Sequence, residues 1–250
     1  MPHCLNCGNE MSENAGFCPA CGHPASQPPT VSASPTRPAT SLPLGEYLKK
    51  GWDLFKLYPG GFVGFFLVYV GIQLVLHFIP WVGGFASFAV GPPLIMGNFI
   101  VSAKLLQGRT PQFGDFFLGF RFFVPLLLTA LVGGVLAGIG LMLLIVPGIY
   151  LMVGYLFAAS LVVDRRLDFW PALELSRRTM NPIWFTMFAF LLLLVLVNLA
   201  GVLCLGLGLL ISVPLTGCAI TVAYADIFGL QSNYSEDFPD NFSNAAGSSE

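Results

Sequence analysis

The chain has 250 residues, of which 55% are hydrophobic and only 10% are charged, and its formal net charge is −2. Water-soluble domains carry about 25% charged residues, so this composition indicates a protein whose main solvent is lipid. A net charge near zero gives no support for nucleic-acid binding, which needs a concentrated basic face. The composition therefore disfavours both a soluble enzyme and a nucleic-acid-binding protein.

The first element is a cysteine motif of two C-x-x-C-G turns separated by ten residues. It consists of Cys4, Cys7, Cys18 and Cys21. Two such turns can close a tetrahedral Cys₄ shell around one zinc ion, and metal binding would supply the folding energy of so small a domain. An iron site of the rubredoxin kind is the main alternative, but only Phe17 is present to shield it. The spacing predicts a zinc ribbon over residues 1–23.

Residues 24–43 are rich in Pro, Ser, Thr and Ala and contain no core-forming pattern. Such a composition is typical of a flexible to semi-extended linker. A cytoplasmic location would keep the ribbon thiols reduced, which argues against disulfides. We expect the tethered ribbon to bind a cytoplasmic partner protein, and the alternative is that it is only a folded stub.

Three stretches contain no Asp, Glu, Lys or Arg: Leu57 to Ala103, Phe122 to Val163 and Thr179 to Ala225. Each is longer than about 40 residues, whereas one membrane-spanning helix needs about 20. Lipid cannot satisfy free backbone groups, so these segments are expected to be helical. The sequence predicts an all-α polytopic membrane domain over residues 44–230, with six transmembrane helices in three hairpins. A re-entrant loop in place of the first hairpin is the alternative.

All basic residues lie outside these stretches, so three hairpins would place them on one face of the membrane. The positive-inside rule makes that face cytoplasmic. We therefore expect a multi-pass protein of the cytoplasmic membrane with both termini in the cytoplasm. The polar, acidic residues 231–250 are expected to form a disordered tail.

The three hairpins resemble one another. Each follows a mixed polar and aromatic segment that ends at Pro59, Pro125 or Pro182, and each contains a deeper proline at Pro93, Pro147 or Pro214. This pattern predicts a threefold pseudo-repeat with amphipathic helices at the interface. The deeper prolines either begin helices or break them, and broken helices at matching repeat positions can mark a substrate pathway.

Polar residues within the predicted spans are few. His77 and Gln73 lie one turn apart and are candidates for the same pathway, and Asn98 and Asn198 are further polar positions. Hydrogen bonding between helices is the simpler interpretation of all four. The glycines of Gly60 to Gly64 and of Gly134 to Gly138 predict close helix packing.

Basic residues that flank the spans are candidates for lipid-headgroup contacts: Lys49, Lys50, Arg165, Arg166, Arg177 and Arg178. Juxtamembrane lysines and arginines attract anionic lipids. For the arginines, the alternative is a solvated connector with internal ion pairs to nearby acidic residues.

No spanning segment contains a carboxylate, and the hydrolase, P-loop, dinucleotide and HExxH motifs are absent from the sequence. We therefore expect a protein that is not an enzyme. The segment from Ile145 to Phe185 resembles an uncharacterised bacterial membrane family similar to the membrane domain of some glycerophosphodiester phosphodiesterases. The match covers Leu44 to Leu230 and is best at Pro147, Gly148, Asp164, Ala172, Leu173 and Ser176.

That resemblance implies the helical membrane fold but no catalysis, because the chain has no room for the soluble catalytic barrel. The first functional hypothesis is a scaffold or regulator in the lipid bilayer, with a ribbon that recruits a protein partner. The second is a transporter or carrier of a small apolar or lipid-like molecule. Nucleic acid is not an expected partner, and the sequence leaves open whether the protein is an oligomer.

Overall fold

The computed structural model describes residues 44–79, 82–204 and 206–231, and all regular secondary structure in these ranges is helical. The α-helices are α1 (Leu44–Leu57), α2 (Pro59–His77), α3 (Val82–Leu106), α4 (Phe123–Leu143), α5 (Ile145–Gly154), α6 (Ala158–Arg165), α7 (Phe169–Met180), α8 (Trp184–Leu203) and α9 (Leu209–Phe228). Two 3₁₀ segments lie between them, at Phe113–Phe122 and Asn181–Ile183. The predicted ribbon and linker, and the tail beyond residue 231, lie outside the described residues.

Six helical segments of the described chain are long and apolar enough to cross a membrane. They are Pro59–His77, Gly83–Leu106, Phe113–Leu143, Ile145–Arg165, Phe169–Leu203 and Leu209–Phe228. Their outer faces carry large exposed apolar side chains such as Phe85, Met142 and Phe185. This arrangement suits a lipid solvent, since water-soluble proteins rarely expose such continuous apolar surface. The predicted all-α fold with six membrane-capable helices is confirmed for the described residues, whereas the threefold repeat and the hairpin grouping stay predictions.

The prolines have different local roles. Pro59 is the first residue of α2, where its missing N–H costs nothing. Pro147 lies in the first turn of α5, after the extended Leu144 has ended α4. Pro93 and Pro214 lie in the interiors of α3 and α9, where each leaves the carbonyl four residues earlier without its usual helical donor.

Helix α1 packs against α9 through one face. Tyr47, Leu54 and Phe55 are buried, and Gly51 is so close to α9 that a Cβ atom there would lie 2.9 Å from the Ala219 backbone. The Tyr47 hydroxyl donates a 2.6 Å hydrogen bond to Asp226 near the end of α9. The apolar face of α1 is therefore buried against the bundle, and the opposite face carries the exposed Lys49 and Lys50.

Within the described chain, the predicted close helix packing is absent at Gly134 and Gly138 and at Gly60 and Gly64. Gly61 of the first stretch, by contrast, is buried against the Tyr58 ring. Gly134 and Gly138 are exposed, and a Cβ atom at either would contact nothing within 4 Å. The close approach between α4 and α5 lies instead at Gly140 and Gly148, where a Cβ on Gly140 would be 3.0 Å from the Gly148 Cα. The buried stripe of α4 includes Gly133 and Gly140, so the exposed pair lies on a different face of the same helix.

Gly60 likewise has no neighbour within 4 Å of the position that a Cβ would take, and a Cβ on Gly64 would meet only a Phe113 ring carbon at 3.7 Å. Neither residue therefore mediates the close helix packing expected of it. The reason is the same as in α4, because an apolar helix in lipid does not reveal from its sequence which face meets another helix.

The 3₁₀ segment Phe113–Phe122 packs along α3. The buried Phe116 ring stacks on Phe65 of α2 with centroids 4.3 Å apart. Gly97 and Gly119 allow the two backbones to meet, since a Cβ on either would collide with a backbone carbonyl of the other segment. Asp115 begins the segment by accepting a 2.8 Å hydrogen bond from the Gln112 backbone N–H. Small residues at these crossings allow the segment to pack as closely as neighbouring membrane helices do.

Candidate functional site

A cavity of about 360 Å³ lies between α2, α3, α8 and α9, with one further wall residue from α6. Its walls are mainly apolar and aromatic, including Phe65, Leu94, Phe99 and Ile220. Small-molecule sites in proteins have this volume and this character, with a few polar groups among apolar walls. It is the candidate site of the membrane domain.

The cavity has a buried floor and an exposed mouth. Phe65 and Phe99 on the floor are each 4% exposed, whereas Ile95 is 55% exposed and Val213 is 36% exposed. The mouth is therefore on the apolar outer surface of the helix bundle. A molecule dissolved in the bilayer could enter from the side without crossing a polar surface.

Asn198 on the cavity wall is fully engaged with the protein. Its Nδ2 donates hydrogen bonds of 2.9 Å to the Leu194 carbonyl and to Thr216 Oγ1, and its Oδ1 accepts a 3.0 Å bond from Ser212. These bonds connect α8 to α9. Asn198 therefore has the helix-to-helix role that was the simpler interpretation of its sequence position.

Asn98 differs from Asn198 because only its oxygen is engaged. Its Oδ1 accepts a 3.2 Å hydrogen bond from Ser102, one turn later in α3. Within the described part of the chain, no group accepts a hydrogen bond from its Nδ2. The amide lies against Gly217 of α9, where an added Cβ would be 3.0 Å from Nδ2. Gly217 thus leaves room for a polar amide at the cavity wall.

Ser160 of α6 is the second polar wall residue with spare hydrogen-bonding capacity. It is 2% exposed, lines the cavity, and makes no side-chain hydrogen bond to any described residue. Nothing in the sequence around Ser160 distinguishes it from the other serines in helices. The sequence does not predict the cavity, although it shows Asn98 as one of few polar positions in an apolar span.

The predicted pathway residues are distributed unevenly about this cavity. Pro93 directly precedes the wall residue Leu94, and Pro214 directly follows the wall residue Val213. Gln73 donates a 3.2 Å hydrogen bond to the hydroxyl of Tyr69, a wall residue of α2. His77 is exposed at the end of α2, and neither it nor Pro147 lines the cavity. The structure therefore brings Pro93, Pro214 and Gln73 near one site.

The arginines of α7 are held in ion pairs. Arg177 donates two hydrogen bonds to Glu174, at 2.9 and 3.0 Å, and Arg178 donates one at 2.6 Å. The second interpretation of this cluster, a connector with internal ion pairs, describes these two residues. Contact of these two arginines with lipid headgroups stays a prediction, since Arg178 is 73% exposed beside its ion pair.

The other headgroup candidates lie in the middle of α1 and at the end of α6. Lys49 and Lys50 are exposed on the face of α1 away from α9. Arg165 Nη2 donates a 2.7 Å hydrogen bond to the Phe228 carbonyl, and Arg166 is exposed in the left-handed conformation that ends α6. Contact of these residues with lipid headgroups stays a prediction.

Comparison with known proteins identifies one family. A zinc-ribbon domain model matches residues 3–25, which include all four N-terminal cysteines. The chain thus carries a zinc ribbon followed by a helical domain with six membrane-capable segments. No curated protein and no solved structure matches the chain. The resemblance to the membrane domain of glycerophosphodiester phosphodiesterases therefore stays a prediction.

Proposed function

We propose that this protein is a non-enzymatic scaffold or regulator of the cytoplasmic membrane, whose zinc ribbon binds a cytoplasmic partner protein. The observation that carries the proposal is the zinc-ribbon match at residues 3–25, joined to six apolar helices in one chain. In this arrangement the helices hold the ribbon at the membrane, and the ribbon selects the partner. Both termini are proposed to be cytoplasmic, on the positive-inside argument.

The proposed ribbon holds one zinc ion through Cys4, Cys7, Cys18 and Cys21. Four thiolates in two tight turns suit a closed structural site, which contributes folding energy and leaves no open position for catalysis. Residues 1–23 contain no Lys or Arg, so the ribbon lacks the basic surface that nucleic acid requires. A protein surface is the remaining class of macromolecular partner.

The composition of residues 24–43 supports this role, because a Pro/Ser/Thr/Ala-rich stretch is typical of a linker. A Pro-rich chain of this length reaches roughly 60 Å when fully extended in the polyproline conformation. The ribbon could therefore meet partners that are not themselves in contact with the membrane. Linkers of this kind also raise the local concentration of a captured partner at the bilayer.

The test is co-purification of the full-length protein from native membranes, with mass spectrometry of the proteins recovered. The wild type is compared with Cys18→Ser/Cys21→Ser, and Cys204→Ser serves as the matched control because Cys204 is exposed and outside the ribbon. We expect a protein partner that is recovered with the wild type and the control but lost with the double variant. Recovery of the same proteins in all three preparations would overturn the recruitment role.

The second candidate function is a carrier of a small apolar or lipid-like molecule. The cavity between α2, α3, α8 and α9 favours it, because an apolar pocket with a lateral mouth suits a ligand that dissolves in lipid. Deletion of residues 1–40 should abolish a ribbon-dependent activity and leave a cavity-dependent one. Substitution of Pro214, which follows the wall residue Val213, should have the opposite effect.

A further inference from the structure

The lining of the cavity restricts the charge of its ligand. Among the described residues that form the walls, none carries a formal charge, and the polar groups are amides and hydroxyls. An ion entering such a site would lose its hydration without gaining a counter-charge, which costs far more than the burial of a neutral polar group. The ligand that fits this wall is therefore uncharged.

Two wall residues indicate that the ligand carries a polar head. Asn98 Nδ2 is a donor that no described group accepts, and Ser160 Oγ can both donate and accept. Ser160 is 2% exposed and Asn98 is partly buried, and neither atom is among the fully buried side-chain atoms of the described residues that lack a partner. Both groups therefore reach accessible space in the cavity, where a ligand that can form hydrogen bonds with them is favoured over one that cannot. A carbonyl oxygen on the ligand would accept a hydrogen bond from Asn98 Nδ2, and a hydroxyl on the ligand would pair with Ser160 Oγ.

Other polar residues of the cavity wall already have hydrogen-bond partners within the protein. Asn198 Nδ2 makes two hydrogen bonds within the protein, and Thr221 Oγ1 donates to the Gly217 carbonyl at 3.0 Å. These wall residues need nothing from a ligand. Recognition would therefore depend on Asn98 and Ser160, from α3 and α6, and on the Tyr69 hydroxyl. That hydroxyl accepts a hydrogen bond from Gln73 and keeps a proton to donate.

The size and the mouth of the cavity indicate an apolar chain. A volume of 360 Å³ corresponds to about a dozen water-sized volumes, enough for a small head and the first carbons of a chain. The remaining carbons of the ligand's chain would leave the cavity between Ile95 and Val213, where it opens on the apolar surface of the bundle. A long chain thus need not be enclosed.

We propose that the cavity binds an uncharged single-chain amphiphile of the monoacylglycerol class. Its ester carbonyl accepts a hydrogen bond from Asn98 Nδ2, a glycerol hydroxyl pairs with Ser160 Oγ, and its acyl chain leaves through the mouth. This inference rests on the carrier function proposed above and specifies the ligand class of that site.

The experiment measures binding to the full-length protein in detergent by native mass spectrometry. Four probes share a ten-carbon chain and differ in the head: monodecanoylglycerol, decanoate, decyltrimethylammonium and decane. We expect monodecanoylglycerol to bind at least about tenfold more tightly than either charged probe, because only its head is both uncharged and able to form hydrogen bonds.

Two substitutions test the proposed hydrogen bonds between the protein and the polar head of the ligand. Asn98→Leu and Ser160→Ala should each weaken monodecanoylglycerol binding by about tenfold and leave decane binding unchanged. Asn181→Leu is the matched control, since Asn181 lies outside the cavity and its side-chain oxygen accepts an exposed hydrogen bond from the Tyr150 hydroxyl. Ser160→Ala removes a hydroxyl that no described residue uses, so it provides the test even where Asn98→Leu fails to fold.

The outcomes separate the two proposals. Equal binding of all four probes, unaffected by Asn98→Leu and Ser160→Ala, would overturn the ligand class and leave the carrier function in place. Tighter binding of decanoate or of decyltrimethylammonium would overturn the requirement for an uncharged head. Failure of every probe to bind would overturn both the ligand class and the carrier function.

Discussion

Lys104 Nζ lies 2.8 Å from Asp115 Oδ1, and this ion pair joins the end of α3 to the start of the 3₁₀ segment. The two side chains are 7% and 9% exposed. A buried pair of this kind contributes little net free energy, but removal of one partner leaves a buried charge without compensation. The pair therefore fixes the position of the 3₁₀ segment along α3, at the place where Gly97 and Gly119 allow close packing.

The first prediction concerns this pair. Lys104→Met or Asp115→Leu alone should lower the free energy of unfolding by about 3–5 kcal/mol, because each leaves one buried charge. The double variant should recover most of this loss. The measurement is the apparent Tm of the purified protein in detergent, followed by circular dichroism.

The control is the ion pair between Lys56 and Asp53, which has the same 2.8 Å separation but is more than half exposed. The Lys56 ammonium, through its hydrogen bond, lowers the pKa of the Asp53 carboxyl. Even so, solvent screens an exposed pair so that it contributes little net free energy, and Lys56→Met should hardly change the Tm. If Lys56→Met and Lys104→Met had equal effects, burial would not be the deciding factor.

The second prediction compares two glycines. Gly148→Ala should destabilise the protein by about 1–3 kcal/mol, because the new Cβ would lie 2.5 Å from the Leu141 backbone nitrogen. Gly138→Ala, in the same pair of helices, should be neutral or stabilising by up to about 1 kcal/mol, since its Cβ meets nothing within 4 Å. Apparent Tm values measure both, and a loss of stability in Gly138→Ala would contradict the assigned packing face.

The third prediction concerns the ribbon metal. The purified wild type should contain about one zinc per chain, and Cys18→Ser/Cys21→Ser should contain almost none, because two thiolates cannot complete a tetrahedral site. Elemental analysis by mass spectrometry measures zinc and iron together. Stoichiometric zinc in the double variant would disprove the ligand set, and iron in place of zinc would favour the rubredoxin-like alternative.

The fourth prediction tests the structural role of Asn198. Asn198→Ala should lower the free energy of unfolding by about 1–2 kcal/mol, since it removes hydrogen bonds to both Thr216 and Ser212 within the bundle. Asn181→Ala serves as the comparison because its hydrogen bond to Tyr150 is exposed. An unchanged Tm in Asn198→Ala would mean that these bonds do not hold α8 to α9.

Two features could be predicted from the sequence because each is encoded over a short stretch of chain. The spacing of Cys4, Cys7, Cys18 and Cys21 identifies a ribbon, and a zinc-ribbon family model matches the same region. The stretches without charge predict apolar helices, because a charged residue within lipid is costly wherever it lies on the helix. Six membrane-capable segments in the described chain agree with that count.

Other features depended on contacts between residues far apart in the chain. Asn98 and Asn198 look alike in sequence, yet Asn198 is satisfied by α9 whereas Asn98 has a free amide at the cavity wall. Gly134 and Gly140 are equally plausible packing residues, yet only Gly140 meets another helix. In a helix that is apolar on every face, hydrophobic periodicity no longer distinguishes the face that meets protein from the face that meets lipid. The sequence alone therefore determined that the chain has helices long and apolar enough to cross a membrane, and only the tertiary structure decided which faces meet and where they leave a cavity.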